Sequence, residues 1–129
     1  MNKELISKKI LAIEDDTDMT ETIVDVLKYE GYQAFGATSG ADGVIVNDKE
    51  NPDLIILDMR MPEMDGIETL RQIRQKDTKV RVVILTGYGH PDTIRAAADL
   101  DVSEYLFKSF DNDTLVRIIG EVLARTCPP

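Results

Sequence analysis

The chain has 129 residues and a formal charge of −9, with 24 acidic side chains against 15 basic. That length suits one domain that buries roughly two thirds of the surface its unfolded form exposes, and the acidic balance disfavours contact with nucleic acid or an anionic membrane. No apolar run exceeds four residues, against the roughly 18 needed to cross a bilayer, and the MNKELISKK start has no apolar segment behind it to act as a signal peptide, so the expected location is cytoplasmic.

In chain order, short aliphatic runs alternate with amphipathic stretches, the pattern of parallel strands covered on both faces by crossover helices. The first strand is expected over Ile10 to Ile13, followed by a helix with Thr17 or Asp18 at its N-cap, Met19, Ile23, Val26 and Leu27 on its apolar stripe, and Gly31 as its stop. A second strand, Tyr32 to Phe35, leads to a helix from about Ser39 with Ala41, Val44 and Ile45 inward. A third, Leu54 to Leu57, leads to a helix near Gly66 whose turns are marked by Ile67, Leu70 and Ile73 or Arg74. The fourth strand, Val80 to Leu85, precedes a helix near Pro91 containing Ala96, Ala97 and Ala98. The fifth, Glu104 to Phe107, precedes the clearest stripe, Leu115, Ile118, Ile119, Val122 and Leu123, capped by Asp111 or Asn112. Five such pairs predict an α/β fold, a doubly wound (βα)5 sheet of parallel strands in a single domain over 1–129, with its core at about 8–125 and a short frayed tail at 126–129. Cys127 is the only cysteine, which excludes an intramolecular disulfide.

Ligands of such sheets bind beyond the carboxyl ends of the strands. There the first strand ends in Glu14, Asp15 and Asp16, the third in Asp58, the fourth in Thr86 and Gly87, and the fifth in Lys108. Each has an ordinary role by itself: Asp16 or Asp18 as a helix cap, Asp58 bonded to its own loop, Thr86 in a turn, Lys108 in solvent. Together on one edge they are the types that hold a divalent cation and a phosphoryl group. Gathered carboxylates repel by about 4 kcal/mol per pair at about 4 Å and an effective dielectric near 20. Oxygen ligands that leave room for water suit Mg²⁺, Lys108 would neutralise an incoming phosphate, and an aspartate so placed can act as a nucleophile toward phosphorus. Met59, Met61 and Met64 read as packing residues, and His90 as an exposed loop residue.

The segments ILAIEDD, LIILDMRMPEMDG, VVILTGYG and EYLFKSF resemble, in order and spacing, the receiver domains of bacterial two-component response regulators. The resemblance implies a flavodoxin-like strand order 2-1-3-4-5, with Asp58 the phosphoacceptor and Mg²⁺ or Mn²⁺ the cation. It implies Asp15 as a direct metal ligand, Glu14 as a ligand directly or through water, and the backbone carbonyl of Arg60 as a third. Thr86 would be the switch hydroxyl, Lys108 the lysine that contacts the phosphoryl group, and Tyr105 the aromatic that follows the switch. Arg60 and Tyr88 fall where family members tune the phosphoryl lifetime. The donor would be a phosphohistidine on a sensor histidine kinase or phosphotransfer protein. The output would be contact with a downstream protein through the fourth helix, fifth strand and fifth helix, the face on which a homodimer would also form, with no direct binding to nucleic acid or membrane.

The sequence departs from the family pattern in two places. Ser109 follows Lys108 where proline is usual, often after a cis bond that costs roughly 2.5 to 4 kcal/mol without proline. Either contacts hold that geometry or the loop takes a trans path, with the lysine reaching the site in both cases. Asp101 and Val102 replace the usual Gly and Ala before the fifth strand. Ser109 motivates an alternative reading, a receiver-like interaction module that signals without phosphate. Enzymes on similar sheets fit less well: Glu14, Asp15 and Asp16 would repel a flavin phosphate, and Arg60 holds the place of the second acid of haloacid-dehalogenase phosphatases.

Overall fold

The computed structural model describes residues 8–87 and 91–125, which excludes Tyr88, His90 and Cys127. Ten elements alternate: β1 (Lys9–Ile13), α1 (Thr17–Tyr29), β2 (Gln33–Ala37), α2 (Gly40–Glu50), β3 (Leu54–Asp58), α3 (Gly66–Lys76), β4 (Arg81–Thr86), α4 (Pro91–Ala98), β5 (Glu104–Phe107) and α5 (Asn112–Ala124). All strand pairs are parallel and the order is β2-β1-β3-β4-β5, as the resemblance implied. Among the described residues no helix is long and apolar enough to cross a membrane.

Side chains alternate across a strand, and here the alternation sorts the core into two layers. Ile10, Ala12, Leu54, Ile56, Val83, Leu85 and Leu106 face α1 and α5, packing on Ile23, Leu27, Leu115 and Ile119. Leu11, Ile13, Ile55, Leu57, Val82 and Ile84 face the other helices, packing on Leu70, Ile73 and Ala97. The central strand, LIILD, is buried at every position.

Four helices begin on a side-chain cap whose oxygen accepts the amide three residues on: Asp16 for α1, Ser39 for α2, Asp65 for α3 and Asp111 for α5. The cap of α1 is therefore Asp16 rather than Thr17 or Asp18, because Asp16 takes the Met19 amide and leaves Thr17 in the first turn. At the other end Gly31 adopts φ 100°, its amide bonding to Lys28 O and the Tyr32 amide to Leu27 O. That closure still engages Tyr32, so β2 begins at Gln33, later than the expected Tyr32. The face of α2 also differs from expectation. Gly40, Gly43 and Asn47 are its buried residues, and Ile45 is 63% exposed. A Cβ at Gly43 would lie 2.5 Å from Ile13 Cδ1, so small residues let the helix backbone press on β1; Ile45 turns outward, while Val44, expected inward, packs partly buried on the second core layer.

Candidate functional site

Strand parity explains which end residues meet. Glu14 follows Ala12, Asp58 follows Ile56 and Lys108 follows Leu106, each in the layer facing α1 and α5, so the three side chains leave the sheet on one side. Register brings them level: Ile13 pairs with Leu57, Asp58 with Leu85, and Leu85 with Leu106.

The result is a compact charge cluster. Lys108 Nζ lies 3.0 Å from Glu14 Oε1 and 3.0 Å from Asp58 Oδ1. Glu14 is fully buried and Asp58 nearly so, whereas Asp15 is exposed. One carboxylate oxygen from each of Glu14, Asp15 and Asp58 falls within 4.8 Å of the others. Backbone amides hold two of them, Asp16 N–H donating to Glu14 Oε2 at 3.2 Å and Arg60 N–H to Asp58 Oδ1 at 3.3 Å. No peptide bond is cis among the described residues, so Lys108 reaches both acids across a trans bond to Ser109, the second of the two routes left open above.

The electrostatics follow from burial. Glu14 is pushed up to about 8, first by burial, then by its hydrogen bonds with Asp15 and Asp58, while Lys108 pulls the other way. Asp15 is held below the usual carboxylate range, chiefly by its hydrogen bond with Glu14. For Lys108 the largest single effect is burial, which lowers the pKa, but the hydrogen bonds and charges of Asp58 and Glu14 together outweigh it and raise the value.

The donor set fits a hard divalent cation. Every ligand atom is oxygen, one lysine stands against three carboxyl groups, and Asp58 Oδ2 is buried with no hydrogen-bond partner among the described residues. Glu14 Oε1 likewise has no hydrogen bond, although Lys108 Nζ is 3.0 Å away. At that distance the ammonium offsets part of the charge gathered on the three acids, whichever way its hydrogens point. Asp15, at the exposed side, leaves the cluster open to water and an incoming group. Beside it a cleft of about 320 Å³ is lined by Asp16, Asp18, Met19, Lys108 and Phe110 among others.

Thr86 and Tyr105 belong to the opposite parity. Ile84 pairs with Tyr105 and Thr86 with Phe107, so Thr86 and Tyr105 share the sheet face that α4 helps to cover. Tyr105 packs there on the second core layer, and burial raises its pKa. Thr20 was not singled out from sequence, yet its buried Oγ1 donates to Glu14 O at 2.7 Å and Asp16 O at 2.9 Å, which holds the acidic loop against α1. Its one sequence signal is its position four residues after a cap, where a threonine hydroxyl reaches back to a carbonyl.

The model of the response regulator receiver domain matches residues 10–120 of this chain. The chain belongs to that family. The receiver is 37% identical over 111 residues to the sporulation initiation phosphotransferase F of Bacillus subtilis, covering 86% of this chain and 90% of that protein. It is 29% identical to the chemotaxis protein CheY of the same organism, covering 92% of this chain and 99% of that one. Against the transcriptional regulatory protein GlrR of Escherichia coli it is 36% identical over 92% of this chain, but spans 27% of that protein's length. Among solved structures, a receiver domain protein from Clostridium thermocellum superposes with a TM-score of 0.82 at 30% identity, covering 90% of this chain and 94% of that chain. A CheY-like receiver from Methanospirillum hungatei gives 0.87 at 25%, covering 91% and 94%. Receivers are the phosphoaccepting modules of two-component signalling, and they bind Mg²⁺ at an acidic pocket.

Proposed function

We propose that Asp58 is the phosphoacceptor of this receiver and that the donor is a phosphohistidine on a sensor histidine kinase or phosphotransfer protein. The observation that carries this reading is Lys108 Nζ at 3.0 Å from both Asp58 Oδ1 and Glu14 Oε1: a nucleophile, a cation and a second acid converge where no packing need requires them.

In the transfer, a carboxylate oxygen of Asp58 attacks phosphorus as the phosphorus–nitrogen bond breaks, and the imidazole leaves with that electron pair. Such transfers need positioning and charge neutralisation more than covalent assistance. Lys108 swings from Asp58 to the phosphoryl oxygens, the Arg60 amide orients Asp58, and the Thr86 hydroxyl donates to the phosphoryl group. Asp15, Asp58 and the Arg60 carbonyl, with Glu14 directly or through water, would hold Mg²⁺ or Mn²⁺. When bound, that cation supplies the positive charge that offsets the gathered acids and the transferred group.

Occupation of Asp58 then biases a two-state equilibrium through Thr86 and Tyr105, which share one sheet face, and alters the α4–β5–α5 surface for a downstream protein or a second receiver. The phosphate-independent alternative rested on Ser109. Since Lys108 reaches both acids across the trans bond, Ser109 gives it no support.

Incubation with Mg²⁺ and a small phosphodonor tests the assignment. We expect an acid-stable, hydroxylamine-labile adduct of one phosphoryl group that disappears in Asp58→Asn. An adduct undiminished by that substitution, or none in the unmodified protein, overturns it.

A further inference from the structure

The turn between α4 and β5 takes a backbone shape that its residue does not favour. Asp101 has φ 59°, in the left-handed region that glycine enters freely and that aspartate, though it tolerates it better than most side chains, enters at a greater cost than glycine. The strand that follows has little of its own to hold that turn, since β5 is four residues long and pairs on one side only, with β4.

The restraint comes from another helix. Arg74, on the last turn of α3, donates from Nε to Leu100 O at 2.8 Å and from Nη2 to Asp101 O at 2.8 Å. Its Nη1 donates to Asp77 O at 3.2 Å, which ties the same guanidinium to the cap of its own helix. A planar fork can serve neighbouring carbonyls at once, and a lysine ammonium cannot match that geometry. Arg125 adds a second grip on Ser103 O and Glu104, but the Arg125–Glu104 pair is itself 47% and 35% exposed, so it contributes less.

From the turn the chain leads directly to the site. Ser103 N–H bonds to Val82 O, β5 pairs from Glu104 to Phe107, Lys108 N–H bonds to Thr86 O, and Lys108 Nζ reaches Asp58. At its other end α3 is bonded beside the same aspartate, through Gly66 N–H to Met59 O. Thus α3 links the loop that carries Asp58 to the turn that starts the strand of Lys108.

We propose that Arg74 is a positioning residue for Lys108: its fork holds the Asp101 turn and, through it, the placement of β5 that delivers the lysine to Asp58. The functional half of this inference rests on Asp58 being the phosphoacceptor.

The test compares the full chain with Arg74→Ala, Arg74→Lys, Asp101→Gly and the Arg74→Ala, Asp101→Gly double variant. Phosphorylation of Asp58 by a small phosphodonor is measured at saturating Mg²⁺, and hydrogen exchange at the Ser103 and Lys108 amides is measured without donor. Arg74→Ala should slow phosphorylation at least fivefold, with the Mg²⁺ Kd within twofold, and speed exchange at both amides at least tenfold. Adding Asp101→Gly, which takes the turn without the fork, should return both readouts to within threefold of the unmodified protein. If Arg74→Ala does not fold, Arg74→Lys stands in for it with the same expected pattern. A rate unchanged by the substitutions at Arg74, or a loss equal in the two Asp101 backgrounds, overturns the proposal. Failure of the unmodified protein to be phosphorylated at Asp58 would sink the reading of the site, while amide exchange would still decide whether the fork holds the turn.

Discussion

Lys108 Nζ lies 3.0 Å from Asp58 Oδ1 although β4 separates the strands that carry the two residues. The lysine stem crosses that strand over its carboxyl end and meets Glu14 at the same distance. Its charge therefore competes with any cation for the same carboxylates. Lys108→Ala is expected to move two measurements in opposite directions: Mg²⁺ affinity by titration rises several-fold, while the phosphorylation rate by a small donor falls on the order of 10², the scale seen when one preorganised donor to transition-state charge is removed. Parallel changes in both would argue against Lys108 acting on the phosphoryl group.

Glu14 gives a pH signature. Its folded pKa is raised from 4.5 to about 8, so between those values the folded state holds more protons than the unfolded state. The stability it contributes is then fully present below about 4.5 and lost as pH rises through about 8. Asp15, with its pKa lowered, acts oppositely and below that window: its contribution is present above 3.8 and lost as pH falls through its folded value. Denaturant melts in a chelator should show stability falling from pH 5 to pH 8 by more in the unmodified protein than in Glu14→Gln, with slope set by up to about one proton. Mg²⁺ needs the ionised acid, so its affinity should rise over the same range with release of up to about one proton, read by calorimetry in two buffers.

Gly66 and Gly120 should respond in opposite ways to alanine. A Cβ at Gly66 would stand 2.4 Å from Asp58 O and 2.7 Å from Met59 Cα, backbone atoms that cannot turn aside. Gly66→Ala should cost about 1–3 kcal/mol in denaturant melts and slow phosphorylation by displacing the Asp58 loop. At Gly120, within α5, a Cβ meets nothing within 4 Å, and alanine there should stabilise by roughly 0.5–1 kcal/mol.

Asn47 is 3% exposed in α2, and its side-chain oxygen has no hydrogen-bond partner among the described residues. Replacing an unsatisfied buried polar group by an apolar one of similar shape removes its desolvation penalty, so Asn47→Leu should raise stability by about 1 kcal/mol. A lower midpoint in urea would show that the polar group is satisfied in solution.

Much of the fold was legible because its signals are local. The buried runs at Ile10, Leu54 and Val82 and the stripe from Leu115 to Leu123 state their periods within a few residues, and a parallel sheet needs only that alternation. Where a non-local contact decides, the reading slipped. Ile45 pointed inward by helical spacing, yet the glycines of α2 press that backbone against Ile13 and turn Ile45 to water. The cap of α1, by contrast, is a local choice: Asp16, one of the candidates beside Thr17 and Asp18, is selected because its carboxylate meets the Met19 amide three residues on.

For the site, the sequence by itself determined which residue types stand at the strand ends, because each sits at the close of an apolar run, and their order and spacing identify a receiver. What only the tertiary structure decided is how those ends meet. Parity and register put Glu14, Asp58 and Lys108 on one side, burial raised the pKa of Glu14, and Arg74, absent from every motif, reached across to the turn at Asp101. These outcomes depend on distances between residues far apart in the chain. No local pattern encodes such distances, because packing and charge settle them only when the whole sheet has formed.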